Sequence, residues 1–349
     1  MKKLNVAVVG VGMGSGHISA YLHDPRVNLA AICDINKERL RQAGEKFKVE
    51  TLFEDAQKML RQVELDAISI ATPNKFHAPL TIAAFNKGLH VLCEKPMAMN
   101  AREAEQMNAA AKKAKKNLMI NFSYRFSEMS YALKQQVDAG VIGDIYYGRT
   151  VWHRRRGIPG FGGWFTTKGL AGGGPLIDLG VHRLDLALWL MGYPEPVSVS
   201  GSTHCVIAKA AAKKASKNYD VEDLAAGLIK FANGATLILE ASWALNIKQP
   251  EEMITTLCGT KGGLTQRNVD GGYSFGAELY TEEGGNLFTK TLDRAITPAP
   301  SAYREFIDSI IEKRPPLATG EQGLKVMKIL DAIYTSAKTG KEVRIAKSG

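Results

Sequence analysis

The chain has 349 residues and a formal net charge of +10, with 45% hydrophobic and 23% charged residues. That length accommodates about two domains, each able to bury its own core. No stretch approaches the roughly 18 apolar residues of a membrane span, and MKKLNVAVVG reaches glycine too early to read as a signal peptide. Cysteines 33, 93, 205 and 258 are scattered, with no CxxC pair and no zinc-like spacing, which fits a reducing cytoplasm and predicts no metal site. The positive charge gathers in KKAKK (112–116) and KAAAKKASK (209–217). Neither run carries the aromatic interleaving or motif of a nucleic-acid site. They read as a solvated helix end and a flexible loop, with no nucleic-acid or membrane partner.

The first third alternates apolar runs with amphipathic stretches. LNVAVVG (4–10), NLAAICD (28–34), DAISIAT (66–72), LHVLCE (89–94) and LMINF (118–122) read as strands. Helical patterns separate them at 15–23, 36–46, 54–61, 76–87 and 100–115. Near-continuous apolar strands joined by helices predict a doubly wound parallel sheet, the Rossmann type of α/β domain. After about residue 125 the rhythm changes. A helix at 127–138 precedes a strand in GDIYYGRTVWHRR, a glycine-rich loop around 157–174 and a helix in GGGPLIDLGVHRLDLALWLMG (172–192). PVSVSGST, LAAGLIKF, ATLILEASWA and MITTLCG read as longer antiparallel strands, and Asn233-Gly234 as a hairpin turn. Helices at 302–313 and 320–338 and a strand at 342–346 close the chain. The predicted division is 1–123, dinucleotide-binding, and 124–349, an α+β domain with a large, mostly antiparallel open sheet.

VVGVGMGSGH (8–17) joins the first strand to the first helix. Strict G-x-G-x-x-G fails at Ser15, but Gly10, Gly12 and Gly14, with Met13 between them, can form a tight turn that admits a pyrophosphate to a helix N-terminus. Asp34 ends the second strand, where a carboxylate accepts hydrogen bonds from ribose hydroxyls and repels a 2′-phosphate. NAD is therefore the expected cofactor. Arg39 leaves NADP possible, and an alternative for Asp34 is the N-cap of the helix at 36–46. Glu94-Lys95-Pro96 ends another strand, where open parallel sheets bind ligands; the Lys95 ammonium could bond a substrate oxygen.

These features in order, together with ATPNKFH (71–77), NFSYRF (121–126) and GGGPLIDLGVH (172–182), resemble the glucose–fructose oxidoreductase/inositol dehydrogenase (Gfo/Idh/MocA) family along essentially the whole chain. The resemblance implies an NAD(P)-dependent oxidoreductase acting on a sugar, a polyol or a derivative. It implies cofactor contacts from Thr72, Pro73, Asn74, His77, Glu94 and Lys95, with Asn121 and Arg125 flanking the nicotinamide and the domain junction. Trp164 resembles an aromatic near cofactor or substrate, but Phe165 follows where arginine is frequent in the family.

Asp178 and His182, four residues apart, leave one face of a helix. Oxidation of a secondary alcohol needs a base for the hydroxyl proton, and imidazole suits that role. His182 is the expected base, Asp178 its partner or a substrate ligand, and Lys95 the group that binds the reacting oxygen. Apolar neighbours suggest that the pair is buried. The alternatives are a structural helix pair, a metal site completed by His153 or His204, and Asp185 in place of Asp178. A helix start stripped to glycine at 172–174 would let nicotinamide or substrate approach the backbone. Arg154, with Arg155 and Arg156, either binds substrate or pairs with surface acids. Two other functions remain open at this point: a glycosidase that oxidises and re-reduces its substrate with bound NAD, and a sugar-sensing regulator. An open sheet with an apolar face predicts a homodimer or homotetramer through the C-terminal sheet.

Overall fold

The computed structural model describes residues 3–346. β1 (Leu4–Val9), α1 (Ser15–His23), β2 (Val27–Cys33), α2 (Lys37–Phe47), β3 (Leu52–Phe53), α3 (Ala56–Gln62), β4 (Ala67–Ile70), α4 (His77–Asn86), β5 (His90–Glu94), α5 (Ala101–Ala114) and β6 (Leu118–Asn121) follow the predicted alternation closely. β3 escaped the reading because two residues show no period. The strands pair in parallel in the order β3-β2-β1-β4-β5-β6. Strand order reverses at β1/β4, so the crevice suited to a ligand lies beyond the carboxyl ends there. Several helices start at side-chain caps: Asn36 accepts from Arg39 N at 2.9 Å, Asp55 from Gln57 N at 2.7 Å, and Asn100 from Glu103 N at 3.0 Å.

The second part of the chain begins with α6 (Glu128–Asp138), β7 (Ile145–Arg154) and α7 (Lys168–Ala171); a π-turn (Leu176–Gly180) then runs into α8 (Val181–Leu190). β8 (Pro196–His204), α9 (Ile207–Lys214), β9 (Leu224–Phe231), β10 (Thr236–Ser242), β11 (Glu251–Gly259), β12 (Gly262–Asn268), β13 (Phe275–Glu283) and β14 (Asn286–Thr291) follow. α10 (Ala302–Ile311), α11 (Gly320–Thr339) and β15 (Val343–Arg344) end it. The nine strands run β14-β13-β12-β11-β7-β10-β9-β8-β15, antiparallel except for β7 beside β10. The hairpin at Asn233-Gly234 forms as expected: Gly234 takes φ +84° and Asn233 Oδ1 accepts from Ala235 N at 3.2 Å. β12, β13 and β14 were missed because glycine and charged residues interrupt their alternation, and β14 is exposed throughout.

Two expectations are corrected. The lysine-rich run read as a flexible loop lies largely on α9. Alanine and lysine are good helix formers, Ala208 and Ala212 bury one face, and Asp223 Oδ2 accepts from Val206 N and Ala208 N at 2.9 and 2.8 Å at the helix start. The chain also divides differently: the compact units are the chain through Asn121 with Pro300–Leu324, and Phe122–Ala299 with the chain from Lys325 on. Residues 300–324 return to the first unit through Arg26 Nη1 to Asp308 at 2.5 Å, Asn117 Nδ2 to Arg314 O at 2.9 Å, and Ile120 N to Ala318 O at 3.0 Å. A helical period reveals an apolar face without saying which sheet will cover it.

In the second unit, α8 packs its apolar side against the sheet, and Leu186, Trp189 and Leu190 join Leu257 and Leu264 in one core cluster. The helix also buries an ion pair. Arg125 Nε and Nη2 donate to Asp185 at 2.9 and 2.6 Å, Tyr193 bonds both partners, and both charged side chains are 1% exposed. Removing one partner strands the other charge. Asp185→Ala is expected to lose about 3–5 kcal/mol of stability in urea unfolding, far more than a surface carboxylate removed in the same way.

Candidate active site

In the first unit, Gly10 takes φ +91°, and a Cβ there would lie 2.3 Å from Ala71 O. A Cβ on Gly14 would lie 2.4 Å from Gly10 O. Packing of the turn therefore explains both glycines. Gly12 is different: a Cβ there would meet only the Arg39 side chain, at 3.6 Å, and the residue is exposed beside exposed Met13. No protein neighbour requires that glycine, whereas a pyrophosphate approaching the backbone does. Gly14 gives α1 no side-chain cap, so the first N–H groups of the helix remain available to an anion. The Thr72 hydroxyl, on the loop after β4, is a buried oxygen without a hydrogen-bond partner among the described residues. The donors and space here fit a dinucleotide.

Asp34 is buried and serves the turn. Its Oδ2 accepts from Val11 N at 3.1 Å and its Oδ1 from Asn36 N at 2.9 Å. The N-cap alternative for Asp34 fails, because Asn36 caps α2. Exposed Arg39 reaches within 3.6 Å of Asp34 Oδ2. Asn74 is buried in the short turn 74–76. The His77 ring lies between two carbonyls, 2.8 Å from Pro96 O and 2.8 Å from Thr72 O. Burial pushes its pKa down despite those carbonyls, so His77 ties the loop after β4 to the turn after β5.

From Val91 to Ala98 only Glu94 and Lys95 escape burial, and Lys95-Pro96 is a cis peptide. Glu94 Oε1 accepts from His17 Nε2 at 2.9 Å and from Asn121 Nδ2 at 2.6 Å. Burial raises the Glu94 carboxyl, but the His17 and Asn121 bonds and the Lys95 charge outweigh it, so the net shift is downward. An ionised carboxylate thus stands beside the Lys95 amine. His17 was overlooked in the sequence; its place in the first turn after the glycines was the available signal.

In the second unit the same pattern recurs more strongly. Between Gly173 and Leu190 every residue is buried except Asp178 and His182. The expectation of a buried pair is corrected in part: these two are half-buried, and the fully buried charged residues of the helix are Arg183 and Asp185. A π-turn carries Asp178, so four residues fall just short of a full turn and the two side chains stay on one side. Asp178 Oδ2 accepts from Trp243 Nε1 at 3.0 Å. The His182 ring meets Tyr124 edge-on at 5.0 Å and Trp152 at 5.7 Å, centre to centre. Asp185 is committed to Arg125, which removes it as an alternative partner for His182 and also commits the guanidinium expected beside the nicotinamide. His153 lies between Glu240 and Glu252, at 3.4 and 3.5 Å.

Gly173 and Gly174 have a packing reason of their own. A Cβ on Gly173 would lie 2.0 Å from the Tyr334 hydroxyl, and one on Gly174 would lie 2.2 Å from Glu222 O. Glu222 accepts from Gly174 N at 2.9 Å, Leu176 N at 3.1 Å and the Tyr334 hydroxyl at 2.8 Å. The bare backbone admits this clamp, which sets the start of the π-turn. Glu222 and Tyr334 were missed because their partners lie 46 to 112 residues away.

Arg154 donates to Glu251 at 2.7 Å and to the Tyr273 hydroxyl at 2.8 Å, and the Trp152 indole also donates to Glu251. The pairing alternative therefore describes Arg154. Arg156 bonds Asn246 Oδ1 at 2.9 Å, and Arg155 is exposed. The Trp164 ring stacks on Phe165 at 3.8 Å, and Phe165 is packed against the Trp152/Trp243 core.

Residues 4–122 match the model of the oxidoreductase family with NAD-binding Rossmann fold (GFO_IDH_MocA), and 134–345 match its C-terminal alpha/beta domain. The chain belongs to the Gfo/Idh/MocA family. As a member it is an NAD(P)-dependent oxidoreductase of the dehydrogenase type. It is similar to D-glucoside 3-dehydrogenase of Escherichia coli (strain K12), 36% identical over 98% of this chain and 97% of that protein. It is also similar to myo-inositol 2-dehydrogenase of Thermotoga maritima, 27% identical over 99% and 98%. Among solved structures, GenD2 from gentamicin A biosynthesis in complex with NAD superposes with a TM-score of 0.82 at 27% identity, covering 99% of this chain and 97% of that one.

Glu222→Ala should cut kcat about 10²-fold, the order expected when a positioned group shifts by an ångström. NAD affinity, measured by protein fluorescence, should hold, because the glycine turn belongs to the other unit.

Proposed function

We propose that the protein oxidises a secondary hydroxyl of an uncharged pyranose, a D-glucoside in the first instance, with NAD. The observation that carries this reading is that Asp178 and His182 alone are partly exposed on an otherwise buried stretch from Gly173 to Leu190. A structural pair at that spacing gains about 0.2–0.5 kcal/mol, too little to explain the clamp and indole bond that hold its carboxylate. The similarity to a D-glucoside 3-dehydrogenase along nearly the whole chain supports the substrate class. The charge balance around His182 supports an uncharged sugar, since Arg154 is already matched by Glu251 and the ring's aromatic neighbours Tyr124 and Trp152 are uncharged.

His182 takes the hydroxyl proton, and Asp178, oriented by Trp243, fixes the imidazole and favours its protonated form as the proton arrives. Lys95 donates to the reacting oxygen and offsets negative charge there. Glu94, held ionised by His17 and Asn121, stands directly beside that ammonium. NAD, when bound, would supply the acceptor for the hydride that leaves the carbinol carbon. Gly12, Thr72 and the open start of α1 would hold the pyrophosphate side, and Asp34 would select the unphosphorylated ribose.

A substrate panel followed at the reduced-nicotinamide absorbance tests the reading. Methyl glucoside with NAD should react faster than glucose 6-phosphate or the NADP reaction. Lys95→Ala and His182→Ala should each lose at least about 10²-fold in turnover while still binding NAD. Full activity in both variants would refute the assignment, and cleaved glycoside with no change in absorbance would indicate the glycosidase chemistry instead.

We also read the outer face of the larger sheet as the surface that joins copies. Ala225, Gly227, Ile229 and Phe231 of β9 point inward, leaving Ala226, Leu228 and Ile238 on the other side. Light scattering should give at least a dimer mass, and Leu228→Lys should lower it.

A further inference from the structure

Two arginines of the second unit are fully buried, and they are treated differently. Arg125 has the Asp185 carboxylate. Arg183 has no carboxylate partner among the described residues: its Nη1 donates to Gln266 Oε1 at 3.3 Å, its Nη2 donates to the Thr255 hydroxyl, and its Nε is unpartnered. These acceptors are neutral, and their remaining bonds are neutral too. Gln266 donates to Ser130 Oγ at 2.6 Å, and Thr255 shares its hydroxyl bond with Thr150 at 2.6 Å. Burying a charge without a counter-charge is costly, and such cost gathers where a site needs it.

The guanidinium carbon lies 5.8 Å from the centre of the Tyr124 ring, the same ring that meets His182 edge-on at 5.0 Å. Arg183 also follows His182 directly on α8. We infer that Arg183 is a positioning residue for the proton-accepting imidazole: its unmatched charge holds His182 neutral, ready to take the carbinol proton near neutral pH. This rests on the reading of His182 as the base.

Among the other groups around the imidazole, one opposes that field and the rest are matched or neutral. From the π-turn, Asp178 acts in the opposite sense. From β7, Arg154 is matched by Glu251 of β11, which also accepts from Tyr273. The 123–126 turn brings Tyr124, its phenol raised by burial and held neutral, and Arg125, matched by Asp185. From α6, Lys134 lies over Trp189, toward the far end of α8, and pairs with Asp138. Burial draws Arg183 itself down to about 10, only partly offset by Tyr124, so it remains charged at neutral pH.

A nearby cation disfavours imidazolium and lowers the imidazole pKa, and its removal lets that pKa rise. In the pH profile of kcat/KM, Arg183→Met should move the acid limb up by about one pH unit, with the high-pH plateau largely kept. Arg183→Lys, which keeps the charge, should restore the wild-type limb. An unmoved limb in Arg183→Met, with only a lower melting temperature and plateau, overturns the inference. Should that variant fold poorly, NMR titration of the wild-type His182 ring decides: a value below about 6.5 supports the inference, and one at or above it overturns it. Failure of the functional reading is separately visible, since His182→Ala would then retain both turnover and the acid limb.

Discussion

A carboxylate holds the turn on which the chemistry of the second unit stands. Glu222 gathers two backbone N–H groups and a phenol at the place where the chain enters the π-turn, and glycine at 173 and 174 is what lets it come close enough. Both donors belong to the class of helix-start N–H groups that the helix itself cannot satisfy. The adjacent Asp223 carbonyl accepts from Trp243 N at 3.0 Å and from the Ser242 hydroxyl at 2.7 Å, and the Trp243 indole reaches Asp178. One dipeptide thus secures both the backbone beneath Asp178 and the indole that orients its carboxylate. Without this anchorage, the helix start would be two glycines with little to define it.

The first unit solves a similar problem with different parts. Lys95 sits at a strand end, where the backbone is held by the sheet on one side and by the His77 bridge on the other. Its neighbour Glu94 is fixed by His17 from α1 and Asn121 from β6, so three elements converge behind one amine. The glycine turn before α1 and the His17 contact are thereby coupled: the helix that offers its N-terminus to an anion also supports the strand end that carries the lysine. This gives the tightness of that turn a second purpose beyond cofactor binding.

Much of this was legible in the amino-acid order because it follows from local rules. The parallel sheet announced itself by apolar runs spaced by helical periods, and the reading of Gly10, Gly12 and Gly14 needed only their place after a strand. What was hidden depends on long-range packing. α9 looked like a loop because a lysine-rich run is helical or not according to what covers its alanines and who caps its start, here Asp223. The return of residues 300–324 to the first unit depends on Arg26 and Asn117, nearly 200 residues or more upstream. The packing role of Gly173 and Gly174 was hidden for the same reason: a glycine marks a close approach, and the partner, Tyr334 or Glu222, is visible only once folded.

α8 shows where such reading stops. Four ionisable groups, Asp178, His182, Arg183 and Asp185, fall within eight residues, and period alone cannot sort them. The fold sends two outward and two inward, and it treats the inward pair unequally: Asp185 receives a matched partner and Arg183 only neutral ones. In a low-dielectric interior a matched pair cancels its own field at a distance, while a lone cation does not. The asymmetry therefore leaves a net positive charge on the buried side of α8, carried by the residue that follows the imidazole in the chain. A helix pair read for its spacing alone turns out to be one layer of a charge arrangement whose second layer lies inside.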